Sequence, residues 1–179
     1  MSGIIGVSPD MKSGVVGKYP DGHVLKTKHY PIFNSSTEQQ TNAVILTMDT
    51  MTLSSSSNKV LTFGDFSIGG NRGGSMKLQY SAGGGGWTNI TTSDMGTNDD
   101  DQAGVAVLGL HMNFGVSADP SGTAIQTSFN YLHAPGNSTV QYRLAISAAV
   151  STYYISINRR ATDDNWGGLS WVVQQEISA

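Results

Sequence analysis

Apolar residues recur at every second position through short runs of this 179-residue chain, and clusters of glycine stop each run. Successive side chains of a strand point to opposite faces, so such runs read as strands with one wet and one dry side. Met76, Leu78 and Tyr80 alternate with Lys77 and Gln79. Val140, Tyr142, Leu144 and Ile146 alternate with Gln141, Arg143, Ala145 and Ser147. Leu169, Trp171, Val173 and Ile177 share what this pattern makes the dry face, opposite Ser170, Gln174 and Glu176. No stretch has helical periodicity, and the β-branched and aromatic content of the runs favours strands. Turn signals fall at Asp21-Gly22, Gly69 to Gly74, Gly83 to Gly86, Asp119 to Gly122, Pro135 to Asn137 and Asp163 to Gly168.

Strands are expected at Val24–Lys28, Ala43–Leu53, Lys59–Ile68, Ser75–Tyr80, Gly104–Phe114, Thr123–Leu132, Val140–Ala149, Tyr153–Arg159 and Leu169–Ile177. About eight or nine short strands with glycine-rich turns imply an all-β, jelly-roll type of β-sandwich. The long Pro31 to Gln40 connection suits a Greek-key crossing. Two runs depart from clean alternation. In Val60 to Ile68 the apolar set passes from Leu61 and Phe63 to Phe66 and Ile68, a slip that a bulge at Gly64-Asp65 would produce. Val105 to Met112 is apolar on both faces, and a strand dry on both sides is buried on both sides. One face meets the partner sheet, and a second subunit is the simplest cover for the other. Val105, Val107, Leu108, Leu110, His111 and Met112 are therefore candidates for a subunit interface.

Charge is scarce. Charged residues are 13% of the chain against 38% hydrophobic, about half the usual charged share. Such surfaces suit cover by partners or contact with neutral polar material. A net charge of -3 and sparse lysines leave no footprint for nucleic acid. The absence of cysteine excludes disulfides, thiolate zinc sites and thiol catalysis. Met1 to Gly17 lacks the charge and apolar core of a signal peptide, and no apolar run is long enough for membrane insertion, so synthesis in a cytoplasm is expected. Glycines 3, 6, 14 and 17 interleave there with Ile4, Ile5, Val7, Val15 and Val16. A segment this apolar and this glycine-rich gains stability by lying on a partner, which makes residues 1–22 an assembly arm and residues 23–179 the sandwich.

Catalytic constellations are missing from the sequence. His23, His29, His111 and His133 are far apart, with no metal-ligand pair and no nucleophile-elbow motif. The two glutamates, Glu38 and Glu176, occupy unremarkable places in the pattern, and adjacent aspartates point apart on a strand. The expectation is no enzyme and no cofactor. Asp99, Asp100 and Asp101 gather hard oxygens of the kind calcium takes, but without the spacing of a known loop, and a solvated acidic loop is the ordinary interpretation. Trp87 after Gly83 to Gly86, and Trp166 before Gly167-Gly168, put aromatic rings beside loops at the sandwich ends. Rings that stack on sugar faces, with Asp and Asn to fix hydroxyls, are what glycan recognition uses.

Several pieces resemble a known group. Ile4 to Gly17 running into Pro20-Asp21-Gly22-His23-Val24-Leu25, the serine run before Asn58-Lys59-Val60-Leu61, Tyr131-Leu132-His133-Ala134-Pro135 leading to Val140-Gln141-Tyr142-Arg143-Leu144, and Tyr154 to Arg159 with Val172 to Ile177 resemble small virion structural proteins of tailed phages, especially phages of marine bacteria including cyanobacteria. The resemblance implies a compact jelly roll like tumour-necrosis-factor and C1q heads, typically a homotrimer. It further implies head decoration or cement, or a short head or tail fibre. The partners it implies are other capsid or tail proteins; a receptor-binding or lectin-like module that recognises surface glycan through the Trp-bearing loops is the alternative reading.

Overall fold

A computed structural model describes residues 21–33, 43–70, 74–90, 125–148, 155–158 and 168–179. Every regular element among these residues is a strand. In one five-stranded sheet, β1 (Val24–Ile32), β10 (Ser170–Ile177), β4 (Lys59–Gly70) and β7 (Ile125–His133) lie side by side in that order, and β9 (Ile155–Ile157) pairs the far end of β4. The second five-stranded sheet runs β2 (Ala43–Thr47), β8 (Thr139–Ala148), β5 (Gly74–Ala82) and β6 (Thr88–Asn89), with β3 (Met51–Thr52) also on β8. The ladders are antiparallel. Apart from β5 and β6, neighbours in these orders are not consecutive in the chain, which passes repeatedly from one sheet to the other.

The two inner faces make one core. Ile32, Val60, Phe66, Ile68, Phe129 and Val172 of the first sheet meet Met51, Leu78, Val140, Tyr142 and Leu144 of the second. Phe66 and Phe129 stack with centroids 5.5 Å apart. At about 1.5–3 kcal/mol per large apolar side chain withdrawn from water, this layer is the main source of stability. His133 also points inward, between Tyr80 and Tyr131, and its Nδ1 is 2.8 Å from the Tyr142 hydroxyl.

The run expected as one strand over Ala43–Leu53 divides into β2 and β3, with Met48 fully buried between them. Gly104–Phe114 lies outside the described residues. The bulge expected at Gly64-Asp65 is absent: β4 stays in register with β7 from Val60 to Ile68 and with β10 from Lys59 to Asp65. Its inner row is Val60, Thr62, Gly64, Phe66 and Ile68, all buried, while Leu61, Phe63 and Asp65 face outward. The apparent slip arose because Thr62 and Gly64 occupy core positions without looking apolar. Gly64 is there because β10 crosses too close for anything larger. A Cβ on it would sit 2.2 Å from the Trp171 carbonyl oxygen.

The faces of β10 are also the reverse of the expectation. Ser170, Val172, Gln174 and Glu176 are buried, whereas Trp171, Val173 and Ile177 are half-buried on the outside and Leu169 is 62% exposed. Polar residues can occupy this inner row because each finds at least one partner, although Gln174 Oε1 is left unbonded among the described residues. The Ser170 hydroxyl donates to Asn158 Oδ1, and the Gln174 amide donates to Thr62 Oγ1. Asn158 holds a left-handed backbone (φ 58°) and also donates its amide to the Ile32 carbonyl, joining β9, β10 and β1. Outside, Trp171 lies between His29 and Phe63, each with ring centroids 6.1 Å away.

Candidate functional site

Two constellations stand apart from the apolar core. The first lies on the outer face of the second sheet. Val140, Tyr142 and Leu144 turn inward and are fully buried, so alternation sends Gln141 and Arg143 outward. The register sets Gln79 of β5 opposite Arg143, and Asn89 of β6 opposite Gln79. Side chains directly opposite on one face are within reach of each other. Arg143 Nε donates to Gln79 Oε1 at 2.7 Å, and Gln79 Nε2 donates to Asn89 Oδ1 at 2.7 Å.

Trp87 closes this row. Its half-buried ring sits over the Arg143 guanidinium, with the carbon 4.3 Å from the ring centroid, a cation–π contact. The glycine run before it forms a hydrogen-bonded turn. Gly83 and Gly84 adopt positive φ (60° and 77°), Gly83 N donates to the Thr139 carbonyl, and the Ser81 hydroxyl donates to the Gly85 carbonyl. Positive φ at two successive positions is what glycine supplies without strain. The turn thereby delivers Trp87 back onto the outward row of β8. A ring, a guanidinium with η donors beyond the committed Nε, and two oriented amides form a platform suited to hydroxyl-rich or carboxylate-bearing ligands.

The second constellation is internal. The Glu176 carboxylate, fully buried, accepts from the Ser54 backbone N–H (2.5 Å) and from Asn58 Nδ2 (2.7 Å), and the Lys26 ammonium is 3.2 Å from its other oxygen. Burial alone raises a carboxyl pKa, but here the bonds from Asn58, Ser54 and Lys26 outweigh it and hold the group below its ordinary value. Lys26 also donates to the Thr52 carbonyl, and Lys28 to that of Thr50. The segment between β3 and β4 is thus fastened across the inner end of β1 and β10. Glu176 was unremarkable in the sequence pattern; in the structure it is the most elaborately bonded side chain of this region. Its partners are all structural, and the arrangement locks a loop to a strand end. Burial also raises the Tyr142 hydroxyl far above its ordinary range and pushes Tyr30 up to about 12, so both phenols are neutral at physiological pH.

Of the candidate arm, interface and ligand-loop residues named from the sequence, Trp87 alone lies within the described residues. Asp99, Asp100, Asp101 and Trp166 lie outside the described residues. So do the arm residues Ile4, Ile5, Val7, Val15 and Val16 and the interface candidates Val105, Val107, Leu108, Leu110, His111 and Met112. Arg143, Gln79 and Asn89 were not anticipated as a group. Alternation already turned Arg143 and Gln79 outward, but their meeting depends on pairing β8 with β5, which sequence spacing does not reveal.

No family model matches the chain, and no curated protein matches it. Among solved structures, one described as the structure of infectious bursal disease virus Gt strain superposes with a TM-score of 0.44 at 12% identity. The overlap covers 99% of this chain and 43% of that one, so this chain spans less than half of its length. A superposition this loose falls short of a shared fold.

Proposed function

We propose that this chain is a structural protein of a tailed-phage virion, a jelly roll that assembles as a trimer and docks on the particle through residues 1–22. The observation that carries the assembly role is the apolar dressing of the sandwich's outside. Phe33 is 79% exposed and Leu169 62%, and Leu132, Val44 and Val24 are also exposed, on a chain that is only 13% charged. Surface of this kind gains about 25 cal/mol for each Å² it buries against a partner. The strand order supports the jelly roll: the first described strand pairs the last, and the chain alternates between β1-β10-β4-β7 and β2-β8-β5-β6. The resemblance of the N-terminal and later segments to phage virion proteins supplies the particle. The function is non-enzymatic, performed by shape and association, in a virion built in the bacterial host's cytoplasm.

Mass spectrometry of purified particles, with copy number, tests this. Hundreds of copies identify head decoration, a few dozen or fewer identify a tail part or fibre, and absence from the particle overturns the proposal.

The Trp87–Arg143 row favours a second function, recognition of host surface glycan. On a glycan array, Trp87→Ala should abolish binding by the wild-type protein while its melting temperature stays near the wild-type value. Unchanged binding by this variant overturns the recognition role for the row.

A further inference from the structure

The outer face of the β1-β10-β4-β7 sheet has a pattern along β4 that reads the same from either end once charge signs are exchanged. Lys59, Leu61, Phe63 and Asp65 occupy successive outward positions: a cation, two apolar residues, an anion. The unbroken registers place Ile177 beside Lys59, and Val173 and Trp171 beside Phe63 and Asp65, on that same face. No ion pair joins Lys59 or Asp65 to another described residue.

We infer that this face binds the same face of a second copy about a two-fold axis running across the strands at the level of Thr62. An axis so placed stacks β4 on β4 in opposite directions. Lys59 then faces Asp65 of the second copy, Leu61 faces Phe63 of the second copy, and each contact occurs twice. The same operation sets Trp171 against Ile177 of the second copy, because β10 is centred on the same row. A two-fold interface must be self-complementary in this way. A surface built for an unlike partner has no reason to carry opposite charges at equal distances from one centre.

Size and chemistry agree with that occupant. Four strands about 4.8 Å apart and eight residues at about 3.3 Å each give a patch of about 19 by 26 Å. That is about 500 Å² of projected area per partner, about 1,000 Å² for the pair, which reaches the lower end of specific interfaces. Twisted sheets stacked face to face at about 10 Å would interleave Leu61, Phe63, Trp171 and Val173 as the two sheets of one sandwich do. The inference rests on the assembly half of the proposed function and not on virion membership, which particle composition tests separately. It also stands beside a trimer, since a two-fold contact pairs whatever unit the chain otherwise forms.

Sedimentation velocity of the full chain, read as mass against concentration, tests it. The wild type should contain an even number of chains at micromolar concentration. Lys59→Asp and Asp65→Lys each set like charges opposite one another twice and should weaken the pairing by about tenfold or more, halving the mass. The double variant, Lys59→Asp with Asp65→Lys, restores opposite signs at both ends and should recover the wild-type mass. Both substitutions are on the outer face, and far-ultraviolet circular dichroism and melting of all three variants should remain near wild type. An odd number of chains in the wild type, single variants that pair as tightly as the wild type, or a double variant no better than the singles would each overturn it. So would pairing that appears only after residues 1–20 are removed, which would make the chain's own N-terminal segment the occupant.

Discussion

A fully buried carboxylate is the costliest residue in the described core, and its partners determine when it stabilises. Glu176 is ionised in the fold because Asn58, Ser54 and Lys26 together hold its pKa below the ordinary 4.5. A group whose folded pKa is depressed adds stability above its unfolded pKa and loses it as pH falls through the folded value. Stability should therefore be level from neutrality to about pH 5, then decline as pH drops below 4.5. Glu176→Gln should lower neutral-pH stability by about 1–3 kcal/mol, since a neutral amide accepts less strongly from Ser54 and Asn58, and should flatten the acid limb. Urea melts of both proteins between pH 3 and 7 measure this. An equal acid slope in the variant would show that the limb belongs to other carboxylates. Nothing in the sequence around Glu176 announced this role. Alternation alone put it in water, because polarity was used as the sign of exposure.

At the scale of elements, the positions of most described strands were legible, the division of Ala43–Leu53 and the short β6 were not, and the phase of two strands was inverted or shifted. β8 reads correctly because its inward residues, Val140, Tyr142 and Leu144, are apolar and its outward Gln141 and Arg143 are polar. In β10 the inner row carries Ser170, Gln174 and Glu176 and the outer row carries Trp171 and Val173, so hydrophobicity gave the inverse phase. In β4, Thr62 and Gly64 on the inner row produced the false bulge. Both errors have one physical origin. A polar or small side chain can be buried wherever a cross-strand partner satisfies or excludes its surroundings, and the partner belongs to a different strand far along the chain. Gly64 makes the point testable, since its role lies in the approach of β4 to β10 and not in β4 itself. Gly64→Ala forces a methyl against the Trp171 carbonyl, which is backbone and cannot turn aside. We expect a loss of about 2–3 kcal/mol, or about 4–12 °C in melting temperature by calorimetry. A bulge at Gly64 would have made this substitution nearly neutral.

For the molecule as a whole, the boundary between the sandwich and what precedes it is set by three hydrogen bonds. Gly22 N donates to the Ser178 carbonyl, His23 N to the Ser178 hydroxyl, and Ser178 N to the His23 carbonyl, at 2.8, 2.9 and 2.9 Å. They close the end of the β1–β10 ladder. Chain that precedes Gly22 contributes nothing to these bonds, whereas chain from Gly22 onward does. If residues 1–22 are the docking arm, removing residues 1–20 should leave the melting temperature within about 2 °C of wild type, because changes outside the folded unit are usually within about 0.5 kcal/mol. Removing three residues more, through His23, deletes all three bonds at about 1 kcal/mol each and should lower it by about 6–12 °C. Both truncations can be compared by calorimetry, then mixed with particles lacking the protein. If residues 1–22 are the docking arm, the shorter truncation folds fully and fails to join the particle. Folding and docking then separate at one point in the chain. A shorter truncation that melts early instead assigns the segment to the sandwich, and one that still joins the particle moves docking onto the sandwich's apolar outer surface.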